Sequence, residues 1–350
     1  MTINTMMTYV GWPLVKIVIL LGVVAFCVAY SVWLERRLLG FFQSRVGPNR
    51  VGPMGLIQPI ADGLKLILKE DIIPANARPF LFRIAPIFAI VPAFAGFAII
   101  SFGPHWVTPS GKVHAFVVSD VNIGILYLLA ISSMGVFGIV LGGWASGSKY
   151  PLFGSLRSAS QMLSYEVPLT FAILSVILMA GSFRLSDIIE AQAKLPYLIP
   201  LILAFGVYVI AAVAETNRAP FDLPEAESEL VGGFHTEYSG MRFAFYFLAE
   251  YANIVLVCCV ATSLFLGGYK IPFFPYATFG AAHPWMTTIL GLAAFGVKAV
   301  LFLYFYIWIR ATFPRYRYDQ LLRIGWMVLL PISMLNLLLV AGIKLWLLKG

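Results

Sequence analysis

Four carboxylates stand in or at the ends of apolar runs: Glu35 closes the first run, Glu166 opens the fourth, Glu215 ends the fifth, and Glu250 lies eight residues into the sixth. A charge within a membrane span costs a few kcal/mol on insertion scales, so such groups are functional candidates whose partner has to be named. Carboxylates gathered in one half of a bilayer disfavour simultaneous ionisation; some then hold protons, and their proton affinities depend on one another. That is the chemistry of a proton relay. Individually satisfied structural polar groups are the competing reading. Lys298, thirteen residues into the seventh run, is the deepest cation and a candidate partner for one of these acids.

Two connecting segments carry most of the remaining polar chemistry. The stretch from 215 to 242 reads ETNRAPFDLPEAESELVGGFHTEYSGMR and sets Glu215, Asp222, Glu225, Glu227, Glu229 and Glu237 against Arg218 and Arg242. Pro220, Pro224 and the Gly232-Gly233 pair imply irregular backbone, which at membrane depth is tolerated only under protein cover or along a cavity. A merely solvated acidic run is the alternative. The stretch from 40 to 79 contains Gly47-Pro48 and Gly52-Pro53, steps that preclude a regular helix there. Over Gly55 to Glu70, stepping 100° per residue puts Leu56, Ile57, Ile60, Ala61, Leu64, Ile67 and Leu68 on one arc of about 140°. Gln58, Asp62, Lys65 and Lys69 fall opposite, the pattern of a helix lying in the membrane interface.

These groups have to be positioned by membrane helices. Of the 350 residues 60% are apolar and only 11% charged, against about 25% charged in ordinary globular domains. A bilayer core needs about 20 apolar residues per helical span. Eight segments qualify: 13–34, 80–103, 121–145, 164–183, 196–214, 242–267, 285–311 and 325–348. They are continuously apolar, whereas barrel strands alternate over about ten residues, so the expected class is an all-α integral membrane protein. No internal repeat is visible, and residues 1–350 are expected to form a single transmembrane domain. The N-terminus lacks a basic signal-peptide region and is expected to be retained, with no soluble domain before or after the spans.

With eight spans, segments 35–83, 146–163, 215–242 and 310–323 share one side and hold 16 of the 24 Lys and Arg. The positive-inside rule makes that side cytoplasmic, or matrix in an organelle, and puts both termini outside. The net charge of +8 follows from this asymmetry and does not call for nucleic acid.

Resident redox chemistry is not expected. Cys27, Cys258 and Cys259 lie in apolar runs without a CxxC pair. His105, His114, His235 and His283 sit on connections without helical metal-ligand spacing. Neither GxGxxG after a strand nor GxxxxGK[ST] occurs, so no cofactor or metal is expected on this chain.

The strings Glu35-Arg36-Arg37, RVGPNRVGPMGLIQPIADGLKLILKE (45–70), GGWASGSKYPLFGSLRSASQMLSYEV (142–167), AETNRAPFDLPEAESELVGGFHTEYSG (214–240), LAEYANI (248–254) and WIRATFPRYRYDQL (308–321) resemble one known family. It is the NuoH family of respiratory complex I, whose mitochondrial counterpart is NADH dehydrogenase subunit 1. The resemblance covers nearly the whole chain apart from 104–120 and the termini. It implies a membrane subunit of a proton-pumping NADH:quinone oxidoreductase, catalytically incompetent alone, that forms the membrane side of the quinone chamber. Ubiquinone or another quinone would be the substrate. NADH, FMN and iron–sulfur clusters would reside in peripheral-arm partners, and small membrane and antiporter-like subunits would be its neighbours in the lipid of a bacterial inner membrane, or a mitochondrial one if organellar. Carried over by residue, Arg36, Arg37, Arg45, Asp62, Lys65, Phe221 and Arg310 would line the quinone path, while Glu35, Glu166, Glu215, Asp222, Glu225, Glu227 and Glu250 would couple quinone chemistry to proton movement. Two readings compete: the homologous anchor of a membrane-bound hydrogenase, disfavoured by the unbroken 45–70 string, and a secondary transporter, disfavoured by the lack of matched halves.

Overall fold

A computed structural model describes residues 11–104, 106–107, 113–114, 116–222, 231–274 and 284–349. Among them, seven helices are long and apolar enough to cross a membrane, and an eighth apolar helix, Ile202–Glu215, is shorter. In chain order the helices are α1 (Trp12–Phe42), α2 (Gln58–Leu68), α3 (Pro79–Ala95), α4 (Gly124–Ala145), α5 (Lys149–Ala180), α6 (Leu185–Ala191), α7 (Ile202–Glu215), α8 (Gly240–Phe265), α9 (Pro284–Thr312), α10 (Tyr318–Arg323) and α11 (Leu330–Lys349). A π-helical segment, Ile324–Leu329, joins α10 to α11. Two-residue strands, β1 (Trp106–Val107) and β2 (Val113–His114), pair antiparallel between α3 and α4. This is the all-α membrane protein expected, with α2 on the amphipathic stretch.

Two helices organise the bundle. α8 packs against α1, α2, α3 and α9, while α5 packs against α4, α7 and α11, and α3 joins α4 between the two groups. The α3–α4 approach is close because a Cβ on Gly138 would lie 2.5 Å from the backbone nitrogen of Ala89. Small residues serve this purpose in membrane bundles, where helices gain from packing rather than from leaving water.

Several boundaries depart from expectation: α1 runs on past 34 to Phe42, α7 begins at Ile202 rather than 196, and the fourth span departs most. Hydropathy predicts the fourth span over 164–183, opening near Glu166, yet α5 is continuous from Lys149. Its first half, KYPLFGSLRSASQML, is too polar to register as membrane-spanning by hydropathy but keeps helical bonding and buries Gly154, Ser155 and Ser158. Glu166 therefore sits mid-helix, where its backbone has no capping role. Likewise α8 begins at Gly240, so Glu250 lies about 15 Å along it at 1.5 Å per residue.

Candidate functional site

The amphipathic stretch places its apolar arc outward. Ile60, Leu64 and Leu68 are all more than half exposed, as suits a helix whose outer face meets lipid. Its other side, with α1 and α8, bounds a cavity of about 530 Å³. Val28, Val32, Phe243, Phe247 and Leu248 give it apolar walls, and Arg36, Gln58, Asp62 and Lys65 are its polar lining residues. Arg36 Nη1 donates to Asp62 Oδ2 at 2.7 Å, and Gln58 Nε2 donates to Asp62 Oδ1 at 2.9 Å. A second cavity of about 410 Å³, between α1, α8 and α9, has no charged lining residue among the described residues. The first thus has the composition of a site for an apolar molecule with a polar head: mostly hydrophobic, with a few convergent polar groups.

The other proposed path residues lie elsewhere. Arg37 donates to the Met54 carbonyl at 2.9 Å and lies over the Trp33 ring. Arg45 donates to the Gln43 side chain at 2.7 Å. Phe221 is buried between Tyr165 and Tyr316, and its ring stacks on that of Tyr316 at 5.5 Å. Arg310 points to a different partner, Glu35.

Glu35 and Arg36 are consecutive, about 100° apart around α1. Arg36 faces the cavity, while Glu35, 5% exposed, turns into the bundle. There Glu35 pairs with Arg310 of α9 and lies 3.6 Å from Arg218 Nη1. Arg218 pairs in turn with Glu250 of α8 and stacks 4.4 Å over the Tyr251 ring. Two guanidinium groups and two carboxylates thus alternate across α1, the turn after α7, α8 and α9. Charges this deep are tolerated because each is balanced by an opposite one.

Beyond Glu250 the polar groups continue. Glu250 and Glu215 both line a small cavity of about 50 Å³ with Thr216, Asn217, Tyr246 and Asn253. That volume holds a few waters, each needing roughly 10–15 Å³. Thr216 also meets the Tyr306 hydroxyl. Glu166 of α5 accepts from Ser133 of α4, the helix that contributes Gly135 to the same cavity. Asp222 pairs with Arg315 at 3.2 Å. Glu225 and Glu227, like Glu229, lie outside the described residues, as do His105 and His283.

Lys298 pairs with no acid among the described residues: its ammonium donates to the carbonyls of Leu266, Gly268 and Lys270 at 2.6, 3.0 and 2.6 Å. On the basic side, burial between the Phe234 and Phe243 rings lowers the His235 pKa to about 4. Burial raises the nearby Tyr238 phenol to about 12.

Arg218 is the residue that reading by sequence leaves out of the site. By sequence it stands only as a countercharge in an acidic loop. Its signal is its position three residues after Glu215 and two before Pro220, where a cation has no polar surface to reach if the turn is buried.

A family model described as "NADH dehydrogenase" matches residues 15–341. Among curated proteins, the H subunit of NADH-quinone oxidoreductase from Thermomicrobium roseum is 48% identical over 338 residues, covering 94% of each chain. The protein of the same name from Magnetococcus marinus is 47% identical, covering 92% of this chain and 88% of its own. That from Rhodospirillum centenum is 50% identical, covering 90% and 89%.

Proposed function

The chain belongs to the NADH dehydrogenase family of NADH-quinone oxidoreductase membrane subunits, and from that premise we propose that it forms the membrane side of a quinone chamber and couples quinone reduction to proton translocation. The observation that carries this reading is the divergence of Glu35 and Arg36: one residue faces the ion-pair network, its neighbour the cavity.

A quinone dissolved in lipid reaches the cavity between the interfacial helix α2 and spans α1 and α8, its isoprenoid tail against the apolar walls and its carbonyl head toward Arg36, Gln58 and Asp62. There it takes two electrons and two protons to become quinol. The electrons come from an iron–sulfur subunit of the peripheral arm, whose own partners hold FMN and NADH. Protonation at the site changes its charge, and a change of charge beside Arg36 acts on the adjacent Glu35, whose balance with Arg310 and Arg218 extends to Glu250. The water-sized cavity joins Glu250 to Glu215, which gives the disturbance a protonic route toward small membrane and antiporter-like subunits in the same bilayer. The chain acts as one transmembrane domain, in the inner membrane of a bacterium.

The test is photolabelling of the assembled complex with a quinone bearing a diazirine near its ring. Labels are expected on α2 between 58 and 67 and on α8 between 241 and 248, and excess unlabelled quinone should remove them. Competable labelling confined to the cavity between α1, α8 and α9 would sink the assignment.

A further inference from the structure

We infer that Gln161 is a positioning residue for Arg218, holding the turn after α7 so that one guanidinium reaches both Glu35 and Glu250. The inference rests on the coupling role proposed above for that network.

Gln161 is a fully buried side chain on α5. Its Nε2 donates to the carbonyls of Ala214 and Phe221, each at 2.8 Å, so both amide protons go to the two ends of one segment, while the buried amide oxygen has no hydrogen-bond partner among the described residues. Ala214 is the last residue but one of α7, and Phe221 closes the turn that follows, so the amide bridges the two ends of the segment containing Arg218. One helical turn earlier on α5, Ser158 Oγ accepts from Asn217 Nδ2 at 3.0 Å. Asn217, immediately before Arg218, has φ +52°, a left-handed conformation that persists where surrounding contacts over-determine it. From the opposite side, the Tyr316 amide donates to the Pro220 carbonyl at 3.1 Å. The turn is thus clamped between α5 and the segment after α9, and Arg218 projects from the clamp onto Tyr251. Gln161 lines neither the large cavity nor the water-sized one, so it acts through the turn and touches no substrate.

Gln161→Met keeps the length and apolar volume of the side chain and removes both donors. In the assembled complex, measured per mole of complex, quinone turnover should fall about tenfold, the order expected for two lost backbone-directed bonds. KM for quinone should stay within about twofold, since the cavity is intact, and NADH oxidation by a hydrophilic acceptor should persist. A purely structural glutamine would not predict the second measurement: in an Arg218→Lys background, which already loses the two-carboxylate reach, adding Gln161→Met should cost little more, because residues acting as one unit are non-additive. Independent, multiplicative losses overturn the inference, as does normal turnover of Gln161→Met. Gln161→Asn, which reaches at most one of the two carbonyls, is the milder variant if Gln161→Met fails to assemble; failure of both makes Gln161 a folding residue and also overturns it. Normal turnover and pumping by Arg218→Lys alone would instead count against the coupling role of the network.

Discussion

Arg218 Nη1 lies 3.6 Å from Glu35 Oε1, with 6% of one side chain and 7% of the other exposed. Arg310, the other partner of Glu35, is 30% exposed. The two cations are therefore unequal: among the described residues Arg218 is buried and shared by two carboxylates, whereas Arg310 is partly solvated and serves one.

This inequality predicts an order of stability. Arg218→Met leaves Glu35 and Glu250 without their common cation and should destabilise the subunit by about 3 kcal/mol, the range for breaking one side of a buried pair. Arg310→Met should cost less, because Glu35 keeps Arg218. Adding Glu250→Gln to Arg218→Met should recover part of the loss. Thermal release of the subunit from purified complex measures all three; equal losses for the two arginines would contradict the assignment.

Glu215→Gln and Glu250→Gln keep shape and hydrogen bonding but remove a titratable proton. Both carboxylates line the water-sized cavity, so both variants should assemble while turnover or proton pumping in vesicles drops about tenfold or more, as for loss of a proton-transfer group. Normal pumping by both removes the pair from the route.

Arg36→Ala opens the polar end of the large cavity and strips Asp62 of its 2.7 Å partner. The pair is substantially exposed, so the effect on stability should be slight. The KM for quinone should rise several-fold, with oxidation of NADH by a hydrophilic acceptor unchanged. Parallel loss of both activities and of subunit content would mark a defect of assembly only.

His235 gives a pH dependence whose sign is fixed by burial. The unfolded imidazole takes a proton near 6.5, the folded one near 4. Between those values the unfolded state binds more protons, so stability falls as pH drops from about 6.5 toward 4 and is recovered above 6.5. His235→Gln should flatten this part of a melting-temperature profile recorded from about pH 7.5 to about pH 4.5. A variant as acid-sensitive as the parent protein would show that the slope arises elsewhere.

Lys298→Met leaves three carbonyls at the end of α8 without their donor. Destabilisation of about 2 kcal/mol is expected from unsatisfied buried acceptors, with Lys298→Arg intermediate. Hydrogen exchange at 266–270 should rise first; unchanged protection there would show that the ammonium is dispensable.

The spans are legible in the sequence because membrane burial is written in composition: about 20 apolar residues in a row have few other uses. The interfacial helix is legible from its 100° periodicity, and with it the placement of Asp62 and Lys65 on one face; the pairing of Asp62 with Arg36 is not. Hydropathy misplaces Glu166 within its helix because the half of α5 before it is helical without being apolar, and hydropathy reads solvent rather than hydrogen bonding. Arg218 escapes notice because its role exists only where α1, α8 and α9 converge on one turn, a relation between segments far apart in sequence. For Lys298 the sequence suggests an acid as partner, yet the end of α8 offers three carbonyl oxygens closer at hand.

In the language of coordination chemistry, Lys298 is a cation with three oxygen ligands that happens to be tethered to the chain. An ammonium has three protons and finds three carbonyls, so this ligand shell is complete without any ion from the medium. A free sodium or potassium ion at such a place would come and go with its concentration; a covalently held one cannot be diluted, chelated or exchanged. That end of α8 should therefore keep its shape when sodium replaces potassium, or when both are withdrawn.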